Sequence, residues 1–422
     1  MPADDAAGPR DLSADIAARA DSYFNRTRQI AARFGDKRVT YAVFLRRPVI
    51  SAPRLMTEWL DMVAAARATR IDVDMMYAEG TWVGAGEPLV YITGSFVQLS
   101  DLETILLQKI GPACVAAHNA YQMCLSLPQA AFLAMEARHC AGAEMQDMMA
   151  YAAAVGSNAA KREGARGFIG NANDGTAHWF GTPRGFGTMP HSLIGYAGST
   201  LRAAEMFRET FPDEPITVLA DYFGREVTDA LAVCARFPEL AAAGQLSFRL
   251  DTHGGRFLEG LGPAESYAVL ERRAPGAIRR YRSDAELRYL VGTGVSAAAV
   301  WHTREALDAA GYPRARIVVS SGFGVDKCRV MADARAPIDV VGTGSFIPDS
   351  WHETYATADI VEYDGVPMVK VGREFLLRRN GARRRTGGDP GVASEAGGDA
   401  VPGVGPAKVG TPFSPGPALS RG

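Results

Sequence analysis

The chain has 422 residues, with 45 Lys+Arg against 47 Asp+Glu, a net charge of -2 and 47% hydrophobic residues. That balance argues against a nucleic-acid-binding protein, which needs a strongly basic face. The length allows two domains of roughly 100–200 residues each, or one barrel with an appendage.

The start, Met1-Pro2-Ala3-Asp4-Asp5, is acidic where a signal peptide is basic and then apolar. No apolar run approaches the roughly 18 residues that span a bilayer. The expectation is a cytoplasmic protein without a membrane partner. Five cysteines, an odd number without a CxxC, point to neither a disulfide framework nor a zinc site.

Between Val39 and Ser95, short β-prone runs such as Pro88 to Ile92 are broken by Gly and Pro, which suits a small β-rich or α+β region. Ser100-Asp101-Leu102-Glu103 then has the form of a capping box, and apolar residues follow at helical spacing through Cys124, so a helix is expected there. From about residue 130, short apolar runs end in a polar residue or Gly and are followed by helical patterns. The runs are Arg166 to Ile169, Ile216 to Ala220 before Asp221, Leu246 to Leu250 before Asp251, Ile317 to Val319 before Ser320, and Ile338 to Val341 before Gly342. This alternation predicts βα units and a parallel sheet. A barrel is favoured over an open sheet because Gly-rich turns carrying polar residues follow several strands and cluster after the last two, where (β/α) barrels often hold phosphate. No G-x-G-x-x-G and no Walker-type loop occurs. The end of the chain, Gly381 to Gly422, holds 11 Gly and 6 Pro, a composition that predicts disorder. Arg378, Arg379 and Arg383 to Arg385 precede or open it as a basic cluster.

In a barrel the chemistry sits at the C-terminal ends of the strands. Asp221, Arg249 and Asp251 adjoin apolar runs, where a charge must face a polar mouth or be paired; a structural ion pair at the rim is the plain alternative. Ser320-Ser321-Gly322-Phe323-Gly324 and Gly342-Thr343-Gly344-Ser345 are suited to closing backbone N–H groups and hydroxyls on a phosphate. Gly187-Thr188-Met189-Pro190-His191-Ser192 adds a histidine, by itself more often structural than chemical.

Taken together these residues resemble the nicotinate phosphoribosyltransferase family over most of residues 20 to 375. The family's D-x-Y looks like Asp21-Ser22-Tyr23, its active-site arginine segment like Glu136-Ala137-Arg138-His139, and its G-T-x-x-H-S motif like Gly187 to Ser192. Its R-L-D-[ST] strand end is matched by Arg249-Leu250-Asp251-Thr252, and its closing phosphate loops by Ser320 to Gly324 and Val341 to Ser345. Many members continue R-L-D-S with Gly-Asp, whereas this chain has His253-Gly254-Gly255-Arg256. The related nicotinamide enzyme uses an aspartate to recognise its amide, and the stretch Phe180 to Arg184 offers no acid.

The resemblance implies an irregular (β/α) barrel of parallel strands at 126–345, an N-terminal α+β (open-sandwich) domain with dimer-forming helices at 1–125, a return segment at 346–380 and a tail at 381–422. It implies transfer of a phosphoribosyl group from phosphoribosyl pyrophosphate to nicotinate, with Mg²⁺ at the pyrophosphate and ATP hydrolysis coupled through a phosphohistidine. His191 takes that role with Asp221 as its partner, and Asp251 takes the ribose hydroxyls. Arg138, Arg249 and Thr252 bind substrate, and Ser321, Gly322, Gly324, Gly342, Thr343 and Gly344 bind phosphate. Tyr23 stacks on the pyridine from a neighbouring subunit, so a homodimer with shared sites follows. The alternatives are a nicotinamide phosphoribosyltransferase and a non-catalytic homologue with a binding role; the quinolinate enzyme, which has no phosphorylated histidine, leaves His191 unexplained.

Overall fold

A computed structural model describes residues 11–349 and 356–377. The Gly/Pro-rich tail and the basic cluster lie outside the described residues. Thirteen strands are described: β1 (Arg38–Phe44), β2 (Val49–Ile50), β3 (Asp72–Met75), β4 (Trp82–Val83), β5 (Pro88–Ser95), β6 (Ala131–Ala134), β7 (Phe168–Asn171), β8 (Ile216–Leu219), β9 (Leu246–Leu250), β10 (Arg316–Val319), β11 (Val340–Thr343), β12 (Thr357–Tyr363) and β13 (Val366–Pro367).

Six of them form a parallel sheet in the order β7-β6-β11-β10-β9-β8. Apart from the gap between β7 and β8 this is the cyclic order of a barrel, and neighbours in sequence are neighbours in space. The strands are short and largely buried, with Phe132, Phe168, Phe248, Ile317 and Val341 at 0–1% exposure, which is why most of them read as apolar runs. The second sheet is antiparallel, in the order β13-β12-β1-β5-β3. Along β1, Val39, Tyr41 and Val43 join the main core. Ala42 and Phe44 face the other way, onto Tyr91, Val361 and Leu376. The Tyr91 hydroxyl donates to the Leu376 carbonyl at 2.8 Å and closes that second layer.

Two long helices, Glu103–Ser126 and Ala143–Arg162, pack against each other, and their contact is made by small residues. Ala113, Ala117, Ala120, Ala152, Ala153 and Ala160 are all fully buried. A Cβ on Gly156 would stand 2.0 Å from the Ala117 carbonyl oxygen, so the backbones touch there.

The capping box expected at Ser100 does not form. Ser95 instead caps a short helix, Phe96–Leu99, by accepting from the Gln98 N–H, and Ser100 becomes the C-terminal residue of that turn. The long helix starts at Glu103 with no side-chain cap. The capping box that is present joins Ser283 and Glu286 at the start of the helix Asp284–Val291. All five cysteines are free thiols. No helix among the described residues is long and apolar enough to cross a membrane.

Candidate active site

The C-terminal ends of β6, β9, β10 and β11 enclose a cavity of about 180 Å³. Of the residues singled out in the sequence, Arg138, Arg249, Asp251, Ser321, Gly322, Gly342, Thr343 and Gly344 line it. Arg249 is the penultimate residue of β9, at 7% exposure. Its Nη1 donates to Thr188 Oγ1 at 3.2 Å and its Nη2 to the Met189 carbonyl at 3.3 Å, while Asp251 Oδ2 lies 3.9 Å from Nη2. Burial pulls its pKa below the usual range, and Asp251 and Asp221 pull it back. One guanidinium therefore supports the Gly187 to Ser192 segment from below and still presents charge to the cavity.

That segment delivers His191 to the start of the helix His191–Ala197. Its Nε2 lies 3.2 Å from Asp221 Oδ1 and 3.3 Å from Oδ2. Asp221, in the turn after β8, is nearly buried, while the imidazole is 48% exposed. The Tyr222 ring stands 6.3 Å from the imidazole, with its hydroxyl 2.6 Å from where a Cβ of Gly195 would stand.

The two Gly-rich turns differ in detail. Ser321 and Gly322 both take left-handed backbone angles, φ 73° and 78°, and lead into the helix Val325–Asp333, whose first turn has no side-chain cap. Such a turn and helix start present free N–H groups, the arrangement that binds anions. Gly324 is not on the cavity wall; it makes room for the Phe346 ring. The Thr343 hydroxyl is used internally, donating to the Phe323 carbonyl at 2.7 Å.

Two residues singled out for substrate lie elsewhere. Thr252 is fully buried, and its hydroxyl donates to Glu226 at 2.8 Å. Tyr23, on the helix Ser22–Phe34, is 60% exposed and lines a separate cavity of about 520 Å³ with Glu103, Asp359 and Tyr363.

Three residues given no role of their own in the sequence contribute here. Lys327 is 6% exposed; its Nζ donates to the Ser321 carbonyl at 2.7 Å and stands 4.2 Å from the Phe323 ring centre, and burial brings its pKa down to about 8. His139 lines the cavity beside Gly344, its pKa lowered by burial and by Arg138. Glu136 is fully buried with neither carboxylate oxygen hydrogen-bonded, and burial pushes its pKa up to about 7. A carboxyl that holds its proton more tightly when folded stabilises most at acid pH. That stabilisation is lost as the pH rises from about 4.5 through about 7. Glu136→Gln is accordingly expected to raise the Tm at pH 8 and to change it little at pH 5. An equal change at both, in thermal melts of the two proteins, would show that the carboxyl is not held protonated by the fold.

No family model matches the chain, and no curated protein does. Solved structures do match. A nicotinate-nucleotide pyrophosphorylase from Pyrococcus furiosus superposes with a TM-score of 0.66 at 22% identity, over 88% of this chain and 81% of that one. Human nicotinic acid phosphoribosyltransferase gives 0.54 at 16% identity, over 82% and 75%. The fold is the one these solved structures share. The nicotinate-nucleotide pyrophosphorylase from Francisella tularensis follows with 0.50 at 13%, over 83% and 95%. At such identities the likeness is one of fold, and the chemistry rests on the residues at the strand ends. Among the described residues no group of three or more His, Cys, Asp or Glu is placed to hold a metal ion.

Proposed function

We propose that the protein is a phosphoribosyltransferase of pyridine nucleotide synthesis that joins nicotinate to phosphoribosyl pyrophosphate and couples the transfer to ATP hydrolysis through His191. The observation that carries this reading is Arg249, which supports the His191 segment and faces the anion-suited cavity at the same time. The names of the Pyrococcus furiosus and human proteins agree on nicotinate or its nucleotide.

In the transfer, the pyridine nitrogen forms a bond to C1 of the ribose as the bond from C1 to the pyrophosphate oxygen breaks, and the electron pair leaves with pyrophosphate. Positive charge builds on the sugar and negative charge on the leaving group, so groups that match those charges favour the transition state over the ground state. Asp251 meets the ribose hydroxyls and is held in place by Arg249. The Ser321-Gly322 turn and the start of the helix Val325–Asp333 receive phosphate oxygens, and Lys327 adds a positive charge beneath them. The exposed Arg138 pairs with the nicotinate carboxylate, for which a guanidinium fork is suited. Asp251, the one carboxylate on the cavity wall among the described residues, would hold a Mg²⁺ carried in by the pyrophosphate, and the ion would neutralise charge on the leaving group.

For ATP, Asp221 accepts from Nε2–H and so leaves Nδ1 with its lone pair free. A bond from Nδ1 to the γ-phosphorus forms as the bond to the β,γ-bridging oxygen breaks, and ADP leaves. Tyr23 belongs to this reading as the contribution of a second copy, which makes the working unit a homodimer.

The test is to incubate the protein with phosphoribosyl pyrophosphate and nicotinate, nicotinamide or quinolinate, with and without ATP. Nicotinate mononucleotide should form from nicotinate and be increased by ATP. Arg138→Ala should raise the KM for nicotinate about 10- to 100-fold, the size of a lost charge-assisted hydrogen bond, and move the KM for ATP little. Turnover of quinolinate alone would replace the substrate assignment, and no turnover of any of the three would end the enzymatic reading.

A further inference from the structure

The segment His253 to Arg256, where the chain departs from the family pattern, faces the turn that carries Asp221. Arg256 Nη2 donates to the Asp221 carbonyl at 2.9 Å and to Glu226 Oε1 at 2.5 Å. These acceptors are the two ends of the turn between β8 and the helix Glu226–Arg236, so one nitrogen ties the start of the turn to its end. The Asp221 carbonyl also accepts from the Gly224 N–H at 3.1 Å. Glu226 is fully buried and accepts in addition from Thr252 Oγ1 at 2.8 Å and from the Glu259 N–H at 3.2 Å. Glu259 returns the contact, its Oε2 accepting from the N–H groups of Val227 and Thr228 at 2.8 Å each. The loop after β9 thus caps the helix that follows β8, and only its Arg256 reaches the residue that holds the histidine.

We infer that Arg256 is a positioning residue for the His191–Asp221 pair: it fixes the Asp221 backbone so that the carboxylate meets Nε2. This rests on the reading of His191 as the phosphate acceptor. A carboxylate that orients an imidazole must be held within a fraction of an ångström, and a turn loosened at its first residue loses that control. Because both bonds leave one nitrogen, a lysine can make them, whereas methionine keeps the stem and makes neither.

The experiment measures phosphohistidine formation from γ-labelled ATP in the wild-type protein and in Arg256→Met, Arg256→Lys and Glu259→Gln. KM values for phosphoribosyl pyrophosphate and nicotinate are taken from transfer without ATP. Arg256→Met should slow labelling at least tenfold with both KM values within about twofold, and Arg256→Lys should return labelling to within about threefold of wild type. Glu259→Gln weakens the same helix cap without touching Asp221, so it should lower the Tm and leave labelling unchanged. If Arg256→Met does not fold, Glu226→Gln, which loosens the guanidinium without removing it, should slow labelling three- to tenfold. Equal labelling in Arg256→Met and wild type, or an equal loss in Glu259→Gln, would overturn the inference and leave the histidine reading standing. No label in the wild-type protein would remove both.

Discussion

Replacing His191 with Asn is expected to reduce ATP hydrolysis at least about a thousandfold, because the substitution keeps a side chain of similar shape but removes the nucleophilic nitrogen. The variant should fold, since the imidazole is 48% exposed and contributes little to the core. It should still bind phosphoribosyl pyrophosphate, whose cavity is built from other strand ends. Synthesis without ATP should persist at the wild-type basal level. Asp221→Asn should give a milder form of the defect, about 10- to 100-fold, because an amide oxygen accepts from Nε2–H but stabilises the charged ring less well. The deciding measurement is labelling with γ-labelled ATP followed by acid and base treatment. Phosphohistidine is lost in acid and kept in base, so label that survives acid, or that persists in the His191→Asn protein, places the phosphate elsewhere.

Gly156→Ala should be among the most damaging single substitutions for stability, although it adds one methyl group far from the strand ends. The new Cβ would lie 2.0 Å from the Ala117 carbonyl oxygen, 2.9 Å from its carbon and 3.0 Å from the Tyr121 nitrogen. All three are backbone atoms of the facing helix and cannot turn aside, so the two helices must part along an alanine-lined contact. Overpacking of this kind costs about 3 kcal/mol or more, enough to take much of a typical net stability. Gly276→Ala is the control, because a Cβ there meets nothing within 4 Å. Equal midpoints for the two variants in denaturant would show that the helices separate at little cost.

The barrel was legible because its strands are buried on both faces. Such strands appear as short, mostly apolar runs that stop at a polar residue or Gly, and the runs at Ile216, Leu246 and Ile317 match β8, β9 and β10 to within a residue. Where the run blends into its surroundings the reading slips: β7 and β11 each begin two residues later than expected, and Ala131–Ala134 carried no mark of its own. The capping box failed for a tertiary reason, since residues 99–102 are buried and Ser100 lies in the interior two residues ahead of Leu102, which takes the cap position of the long helix. Within the site, the Gly-rich turns and the Gly187 to Ser192 segment announce themselves by local composition. Glu136, Lys327 and the Glu226–Arg256 pair do not, because what distinguishes them is burial or a partner about 30 residues away.

The pairing of β1 with β12 also bears on how the chain is made. Phe44 lies opposite Thr357 and Val39 opposite Tyr363, so an inner strand of the N-terminal sheet is completed by residues synthesised some 260 positions after β5 ends. At about 5–20 residues per second a ribosome takes on the order of 10–50 s to supply them. Throughout that interval β1 has an open edge, and the aromatic face of Phe44 and Tyr91 lacks its cover. A messenger cut short before residue 357 is therefore expected to yield aggregated polypeptide even when every strand of the parallel sheet has been made.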